Sequence, residues 1–253
     1  MEHSGRHALV TGGGTGIGLA IATALANAGA EVTITGRRAD VLEAASAANP
    51  RLHLVAVDVT DETALRDAIA RADEERGPVA ICVANAGIAE GGRFRDVTMA
   101  DWRRTMSTNL DGAFVTFQAA LATLRRDDWG PMIAISSIAG VRGLAGAVPY
   151  TASKHGLIGL IRELSEEYMG RGVTFNALCP GYVDTEIVTR NAAAIAARRG
   201  IPEVAATAEM ARGNRHRTLL QMDEVAGAAM WLCSEAARSV NGQTIQVAGG
   251  QVA

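Results

Sequence analysis

Tyr150 and Lys154, four residues apart, are the side chains of this sequence best suited to acid/base chemistry. They lie in a stretch of helical character, so both should project from one helix face about a turn apart. A free phenol has a pKa of about 10, and a neighbouring ammonium group would lower that pKa toward neutrality. The pair therefore indicates proton transfer to and from a substrate oxygen.

Lys154 is the single lysine among the 24 lysine and arginine residues of the chain. A lysine amine can change its protonation state on burial, whereas an arginine stays charged. Taken alone, the pair is equally compatible with a lysine on a solvated helix face. Ser137, thirteen residues before Tyr150, adds a hydroxyl to the same stretch and favours the catalytic interpretation.

A glycine-rich segment follows the first expected strand and reads Gly12-Gly13-Gly14-Thr15-Gly16-Ile17-Gly18. Glycines allow backbone amides to approach a pyrophosphate closely, and the positive end of the next helix attracts its charge. The segment therefore predicts dinucleotide binding. Its spacing differs from the Gly-x-Gly-x-x-Gly fingerprint, so a tight turn without a ligand remains an alternative.

Two arginines, Arg37 and Arg38, follow the second expected strand at the place where NAD-binding sheets carry an acidic residue. Their guanidinium groups are suited to binding the 2'-phosphate of NADP. We therefore expect NADP as the cofactor. NAD is the alternative if both arginines simply face solvent.

Apolar runs alternate with helical patterns along the whole chain, which predicts parallel strands with right-handed crossovers. The expected fold is one α/β domain over residues 1–253, a Rossmann-type doubly wound parallel sheet of about seven strands with helices on both faces. The expected strands are 7–11, 31–35, 52–57, 79–84, 131–135, 173–178 and 243–247. The expected helices are 19–28, 62–75, 99–124, 150–169 and 223–233, the last capped by Asp223.

The net charge of −3 offers no basic surface for nucleic acid. We find neither a signal peptide pattern nor an apolar run long enough for a membrane span, so we expect a cytoplasmic protein without a membrane partner. The cysteines are far apart in apolar contexts and should be buried thiols. The five histidines share no ligand spacing, so no metal site is expected. The cysteines are Cys82, Cys179 and Cys233.

Residues 186–217 differ from the rest in carrying six arginines against three glutamates. We interpret this segment as a mobile helical flap over the site. Its arginines could bind an anionic group of the substrate. A solvated helix face explains the same excess equally well.

The chain resembles the short-chain dehydrogenase/reductase family along nearly its whole length. The resemblance rests on a glycine-rich segment that is followed in order by Asn109, Ser137, Tyr150 and Lys154. Thr11-Gly12-x-x-x-Gly16-Ile17-Gly18 is similar to its coenzyme turn, and Asn85-Ala86-Gly87 to its sheet-stabilising motif. Pro180-Gly181-x-Val183-x-Thr185 is similar to its nicotinamide-binding segment. Departures are Ala84, Ala248 and Thr15, where the family often has Asn, Asp and, in NADP-dependent members, a basic residue.

The resemblance implies a role for each matching residue. Tyr150 would be the proton donor and acceptor, Lys154 would lower its pKa and bind the nicotinamide ribose, and Ser137 would hold the substrate oxygen. Asn109 would bind a proton-relay water. The implied cofactor-binding residues are Gly12, Thr15, Gly16, Ile17, Gly18, Arg37, Arg38, Asp58, Val59, Asn85, Ala86, Gly87, Tyr150, Lys154, Pro180, Gly181, Val183 and Thr185.

The resemblance thus implies an NADP- or NAD-dependent oxidoreductase that interconverts a secondary alcohol and a ketone. Our leading substrate is a 3-oxoacyl or 3-hydroxyacyl thioester of coenzyme A or a carrier protein. Alternatives are a small hydrophobic ketone, which Leu144, Ala145 and Val148 would suit, and a non-catalytic nucleotide-binding scaffold. A sugar epimerase is disfavoured by the short carboxyl-terminal region. Family members are commonly homotetramers, paired through the helices starting near Met99 and Tyr150 and through the last strand.

Overall fold

The computed structural model describes residues 2–125 and 128–251. These residues form one sheet of parallel strands in the order β3-β2-β1-β4-β5-β6-β7. The strands are β1 (His7–Thr11), β2 (Glu31–Gly36), β3 (Leu52–Ala56), β4 (Val79–Ala84), β5 (Gly130–Ile135), β6 (Val173–Pro180) and β7 (Thr244–Val247). The predicted doubly wound sheet is confirmed, and each expected strand is present within two residues of its predicted bounds.

Helices cover both faces of the sheet. They are α1 (Gly16–Asn27), α2 (Ala39–Ala48), α3 (Glu62–Arg76), α4 (Met99–Met106), α5 (Gly112–Thr123), α6 (Val148–Glu167), α7 (Glu186–Arg199), α8 (Glu203–Ala211) and α9 (Met222–Leu232). On one face α1 packs against α9, and on the other α3 packs against α5. Every residue of β1, β4 and β5 is buried. Coverage on both faces explains why these strands are continuous apolar runs in the sequence.

Three helical predictions need correction. The helix expected over 99–124 is interrupted by a π-helical segment, Ser107–Asp111, because Asn109 turns inward to bind the backbone of Ile88. The helix α2 was not predicted. Asp223 does not cap α9: the helix begins one residue earlier, and Glu224 accepts a 2.7 Å hydrogen bond from the backbone amide of Gln221.

The strand order reverses at β1, which lies between β2 and β4. At such a switch point the segments leaving neighbouring strands diverge to opposite faces and open a crevice at the carboxyl edge. The segments that follow β1, β4, β5 and β6 therefore meet at one edge. This edge contains most of the predicted site residues.

The helices α7 and α8 form a hairpin with a small apolar core of its own. Its buried members are Val188, Ala192, Ala196, Ala206 and Met210. Residues 186–199 and 203–211 of the segment interpreted as a flap are thus helical.

Two properties of the described residues bear on the sequence predictions. Cys82, Cys179 and Cys233 are free and buried, as predicted. Across residues 2–125 and 128–251, every helix falls short of the length or apolarity that crossing a bilayer requires.

Candidate active site

The carboxyl end of β5 delivers two serines to the crevice. Ser136 turns back into the protein and donates a 3.0 Å hydrogen bond to the backbone oxygen of Lys154. Ser137 faces the cavity, and its Oγ accepts a 3.1 Å hydrogen bond from the amide of Ala139. The Ser136 bond joins β5 to α6, so Ser137 and the first turns of α6 are held at a constant separation.

The first turns of α6 carry Tyr150 and Lys154. Pro149 occupies the first turn of this helix, where its missing amide costs no intrahelical hydrogen bond. Both side chains line the same cavity as Ser137. The Nζ of Lys154 lies 5.7 Å from the centre of the Tyr150 ring and donates a 2.7 Å hydrogen bond to the backbone oxygen of Ile135. The predicted trio thus converges on one cavity.

Burial controls the protonation of both groups. It raises the pKa of Tyr150, while hydrogen bonding with Ser137 acts in the opposite direction. Burial also lowers the pKa of Lys154 to about 8. The expectation that Lys154 lowers the pKa of Tyr150 is therefore wrong for the protein alone. Desolvation dominates the shift of the Tyr150 pKa and Lys154 is not among its causes, so the phenol is protonated at neutral pH.

Asn109 sits in the π-helical segment and is fully buried. Its Oδ1 accepts a 2.8 Å hydrogen bond from the amide of Ile88, and its Nδ2 donates to the Ile88 oxygen at 2.9 Å. The Nδ2 also donates to Ser153 Oγ at 3.1 Å. A β-carbon at Gly87 would lie 3.3 Å from Asn109 Oδ1 and 3.5 Å from Lys154 Nζ. Asn109 therefore adjoins Lys154 across Gly87, although it does not line the cavity.

The glycine-rich segment wraps around the end of β1. Gly12 and Gly16 have φ angles of 64° and 57°, a region that favours glycine. A β-carbon at Gly18 would lie 2.3 Å from the backbone oxygen of Gly12 and 2.4 Å from Asn85 Nδ2. Asn85 also donates to the backbone oxygens of Thr11 and Gly12 at 2.9 and 3.1 Å. The turn and the β4 motif thus form one unit.

Two cavities meet along this edge, and both include Gly87 and Ile88. The smaller cavity has a volume of about 180 Å³. Its lining includes the predicted residues Gly12, Thr15, Arg37, Arg38, Asp58, Val59, Ala86 and Gly87. The larger cavity has a volume of about 300 Å³. Its lining includes the predicted residues Ile17, Asn85, Gly87, Ser137, Tyr150, Lys154, Pro180, Gly181, Val183 and Thr185.

Two predicted cofactor-binding residues line neither cavity. Gly18 packs against Gly12 and Asn85, so it supports the turn from behind. A β-carbon at Gly16 would lie 3.6 Å from the Thr185 methyl carbon, which places Gly16 beside the larger cavity. Val148 also stays outside the lining, whereas Leu144 and Ala145 belong to it.

Both arginines after β2 reach carboxylates at the edge of the fold. Arg37 lies 3.8 Å from Asp58, and Arg38 lies 3.8 Å from Glu186 at the start of α7. The side chains of Arg37 and Arg38 are 68% and 60% exposed, so both ion pairs are weak. Both guanidinium groups are therefore free to bind a stronger anion.

The larger cavity has a second wall that the sequence analysis did not assign residue by residue. It is formed by one face of α7 together with Tyr182 and Met210. The α7 residues are Ile187, Val188, Asn191, Ala194, Ile195 and Arg198. Their spacing of three or four positions marks one helix face and was visible in the sequence, but nothing in that pattern showed that the face meets a site.

The crevice, with its glycine turn and its Ser137, Tyr150 and Lys154 side chains, matches a known family. The model of the short chain dehydrogenase family matches residues 6–196. The chain belongs to this family. Membership confirms the resemblance and identifies the chain as an oxidoreductase that acts on CH–OH and C=O groups.

Individual relatives match this short-chain dehydrogenase over almost its entire length. It is 36% identical to acetoacetyl-CoA reductase of Rhizobium meliloti over 97% of this chain and 98% of the relative. It is also 36% identical to the 3-oxoacyl-[acyl-carrier-protein] reductase MabA of Mycobacterium avium, over 97% and 89%. A solved short-chain dehydrogenase of Burkholderia cenocepacia in complex with NADP is 32% identical and covers 100% of both chains with a TM-score of 0.89.

Proposed function

We propose that this short-chain dehydrogenase is an NADP-dependent reductase that interconverts a 3-oxoacyl thioester and its 3-hydroxyacyl counterpart. One observation carries the proposal: Ser137, Tyr150 and Lys154 line a cavity that continues into the cavity of the glycine turn. A ketone beside the phenol and a dinucleotide along the glycine turn would share one crevice. The reaction is the transfer of a hydride and a proton across a C=O bond.

The smaller cavity fits the adenosine end of a dinucleotide. A β-carbon at Gly12 would lie 3.0 Å from Ala86 Cα and from Asn85 Nδ2, so this position of the turn has no room for a side chain. Thr15 borders the cavity just before the positive end of α1, where a phosphate is stabilised. Asp58 and Val59 would border the adenine. Arg37 and Arg38 would bind the 2'-phosphate, which favours NADP over NAD.

The larger cavity would accommodate the nicotinamide and the substrate. The bound nicotinamide supplies or accepts the hydride. Ile17 and Thr185 would border the nicotinamide half of the cofactor. The other cavity residues at the carboxyl ends of β4 and β6 would border it as well. Lys154 would bind the ribose while it keeps its hydrogen bond to Ile135.

Tyr150 would donate a proton to the substrate oxygen during reduction and accept it back during oxidation. The raised pKa of the phenol keeps the donor protonated at neutral pH. Ser137 would hold the same oxygen with its hydroxyl, which stabilises developing negative charge. Asn109, beside Lys154, would position a water that returns the proton to the amine and then to the phenol.

The relatives support the substrate class, because acetoacetyl-CoA and 3-oxoacyl carrier proteins are both 3-oxoacyl thioesters. Apolar residues of the larger cavity would surround the acyl part. They are Ile138, Leu144, Ala145, Val188, Ile195 and Met210. The same lining favours a small hydrophobic ketone as the second candidate.

We also propose that residues 186–217 act as a flap that closes over the substrate within one domain of 1–253. Support comes from the separate small core of α7 and α8.

We further propose that the protein is a homotetramer in the cytoplasm. The exposed apolar side chains of Met99 on α4 and Phe114 on α5 support association, and light scattering tests it.

A ketone panel measured with NADPH and NADH side by side tests the proposed function. We expect turnover of acetoacetyl-CoA with NADPH to exceed turnover of a simple aryl ketone, and to exceed turnover with NADH. Higher kcat/KM for aryl ketones than for every thioester would favour the second candidate. Higher kcat/KM with NADH would contradict the cofactor proposal.

A further inference from the structure

The larger cavity is lined by residues from two different parts of the fold. Tyr150 and Lys154 lie next to the end of β5, and the α7 face contributes residues from Ile187 to Arg198. At 1.5 Å per residue, these eleven steps correspond to about 16 Å along the helix axis. Arg198 therefore sits far from the first turn of α7, which adjoins the proposed nicotinamide site.

Among the residues that the structure describes, three charged side chains line this cavity: Glu90, Lys154 and Arg198. Glu90 is anionic and pairs with Arg104, which also binds Asp101 at 2.8 Å. Lys154 is committed to the backbone oxygen of Ile135 at the catalytic end. Within residues 2–125 and 128–251, Arg198 has neither an ion pair nor a side-chain hydrogen bond, so its charge is available to a substrate.

The other arginines of the flap are placed differently. Arg199, the next residue, pairs with Glu209 of α8 through NH1 and through NH2 at 3.2 Å. Arg190 is exposed on α7 and lines neither site cavity. The same holds for Arg212, Arg215 and Arg217. The arginine excess of this segment therefore contributes one side chain to the site.

We propose that Arg198 is a specificity residue that binds the phosphate ester of a pantetheine arm, the group shared by coenzyme A and carrier proteins. The inference rests on the proposed thioester function. A free 3-oxo acid carries its carboxylate one methylene from the ketone and therefore beside Tyr150. The phosphate of a pantetheine thioester lies at the far end of a long arm, and Arg198 lies about 16 Å along α7 from the first turn that adjoins the proposed nicotinamide site. A guanidinium matches phosphate geometry and charge.

The test compares three substrates that share the acetoacetyl group. Acetoacetyl-CoA and acetoacetyl carrier protein both contain the phosphate ester, whereas the N-acetylcysteamine thioester lacks it. Arg198→Gln should raise KM about tenfold for the substrates that contain phosphate and leave kcat nearly unchanged. The KM of the N-acetylcysteamine thioester should change less than about twofold. Arg198→Lys should restore part of the loss, because it returns the charge without the planar fork.

Arg190→Gln is the matched control, because it removes the same charge from the same helix outside the cavity. An effect on acetoacetyl-CoA alone, or on the carrier protein alone, would contradict the inference, because both substrates contain the pantetheine phosphate. The inference is wrong if Arg198→Gln changes KM equally for all three substrates, matches Arg190→Gln, or has no effect. If the wild type reduces none of the thioesters, the proposed function fails as well.

Discussion

The backbone oxygen of Ile135 accepts a 2.7 Å hydrogen bond from Nζ of Lys154, so the single lysine of the chain is bound to the carboxyl end of β5. The amine is buried, and its pKa falls to about 8. An amine in this position adjoins both Tyr150 and Gly87. The protein thus keeps a costly buried charge at the place where the proposed chemistry needs one.

Replacement of Lys154 by Met should stabilise the protein without cofactor while it abolishes reductase activity. The unfolded chain has the ordinary lysine pKa of 10.5, so the shift to about 8 corresponds to roughly 3 kcal/mol. Loss of the hydrogen bond to Ile135 destabilises the variant by about 1 kcal/mol. The free energy of unfolding should therefore increase by about 2 kcal/mol in total. Thermal unfolding at pH 7 should show a Tm higher by several degrees.

The pH dependence of that gain identifies its origin. Below about pH 8 the lysine is charged in both states, and folding bears the full cost of burial. As the pH rises from 8 to 10.5 only the unfolded chain stays protonated, so wild-type stability increases relative to that of Lys154→Met. The Tm difference should therefore shrink between pH 7 and pH 9.5. A constant difference would mean that the gain comes from packing alone.

Tyr150→Phe should lower kcat for ketone reduction by about a thousandfold, because it removes only the proton donor. The ring and its packing remain, so NADPH affinity should stay within about twofold, as measured by cofactor fluorescence. Tyr182→Phe, at a second phenol of the same cavity, is the control and should retain most activity. Unaltered turnover of Tyr150→Phe would refute the proposed role.

Arg38→Gln should raise KM for NADPH about tenfold and leave KM for NADH nearly unchanged, because only NADPH has the 2'-phosphate. Glu186→Gln should lower KM for NADPH by a smaller factor, because it removes the negative charge that lies 3.8 Å from Arg38. Steady-state kinetics with both cofactors measures these changes. Equal effects on NADPH and NADH would show that Arg38 does not contact the 2'-phosphate.

Gly18→Ala should abolish cofactor binding and destabilise the fold by several kcal/mol. Its β-carbon would lie 2.3 Å from the Gly12 oxygen, a backbone atom that cannot move without opening the turn. Gly227→Ala is the matched control: this glycine is exposed on α9 with nothing within 4 Å of the added carbon. The free energy of unfolding of the control should increase by about 1 kcal/mol, because alanine has a higher helix propensity than glycine. Calorimetry and NADPH titration together test the pair, and a stable Gly18→Ala variant that binds NADPH would contradict the expectation.

Local pattern determined the strands and motifs of this protein. Runs such as Val79–Ala84 are apolar throughout because both faces are covered, and this signal lies within a few consecutive residues. The spacing between Tyr150 and Lys154 fixes their separation on one helix, and the glycines of the coenzyme turn are recognisable by type alone. These features allowed the fold and most of the site to be predicted.

Tertiary structure decided what depends on groups brought together from distant parts of the chain. Burial raised the pKa of Tyr150, which is the opposite of the shift expected from its helical neighbour Lys154. Contact with Ile88 placed Asn109 within a π-helical segment. Only the packing of α7 against the crevice distinguished Arg198 from Arg199. Solvent access and long-range contact arise only when the chain has folded, so neighbouring residues of the same type acquire different chemistry.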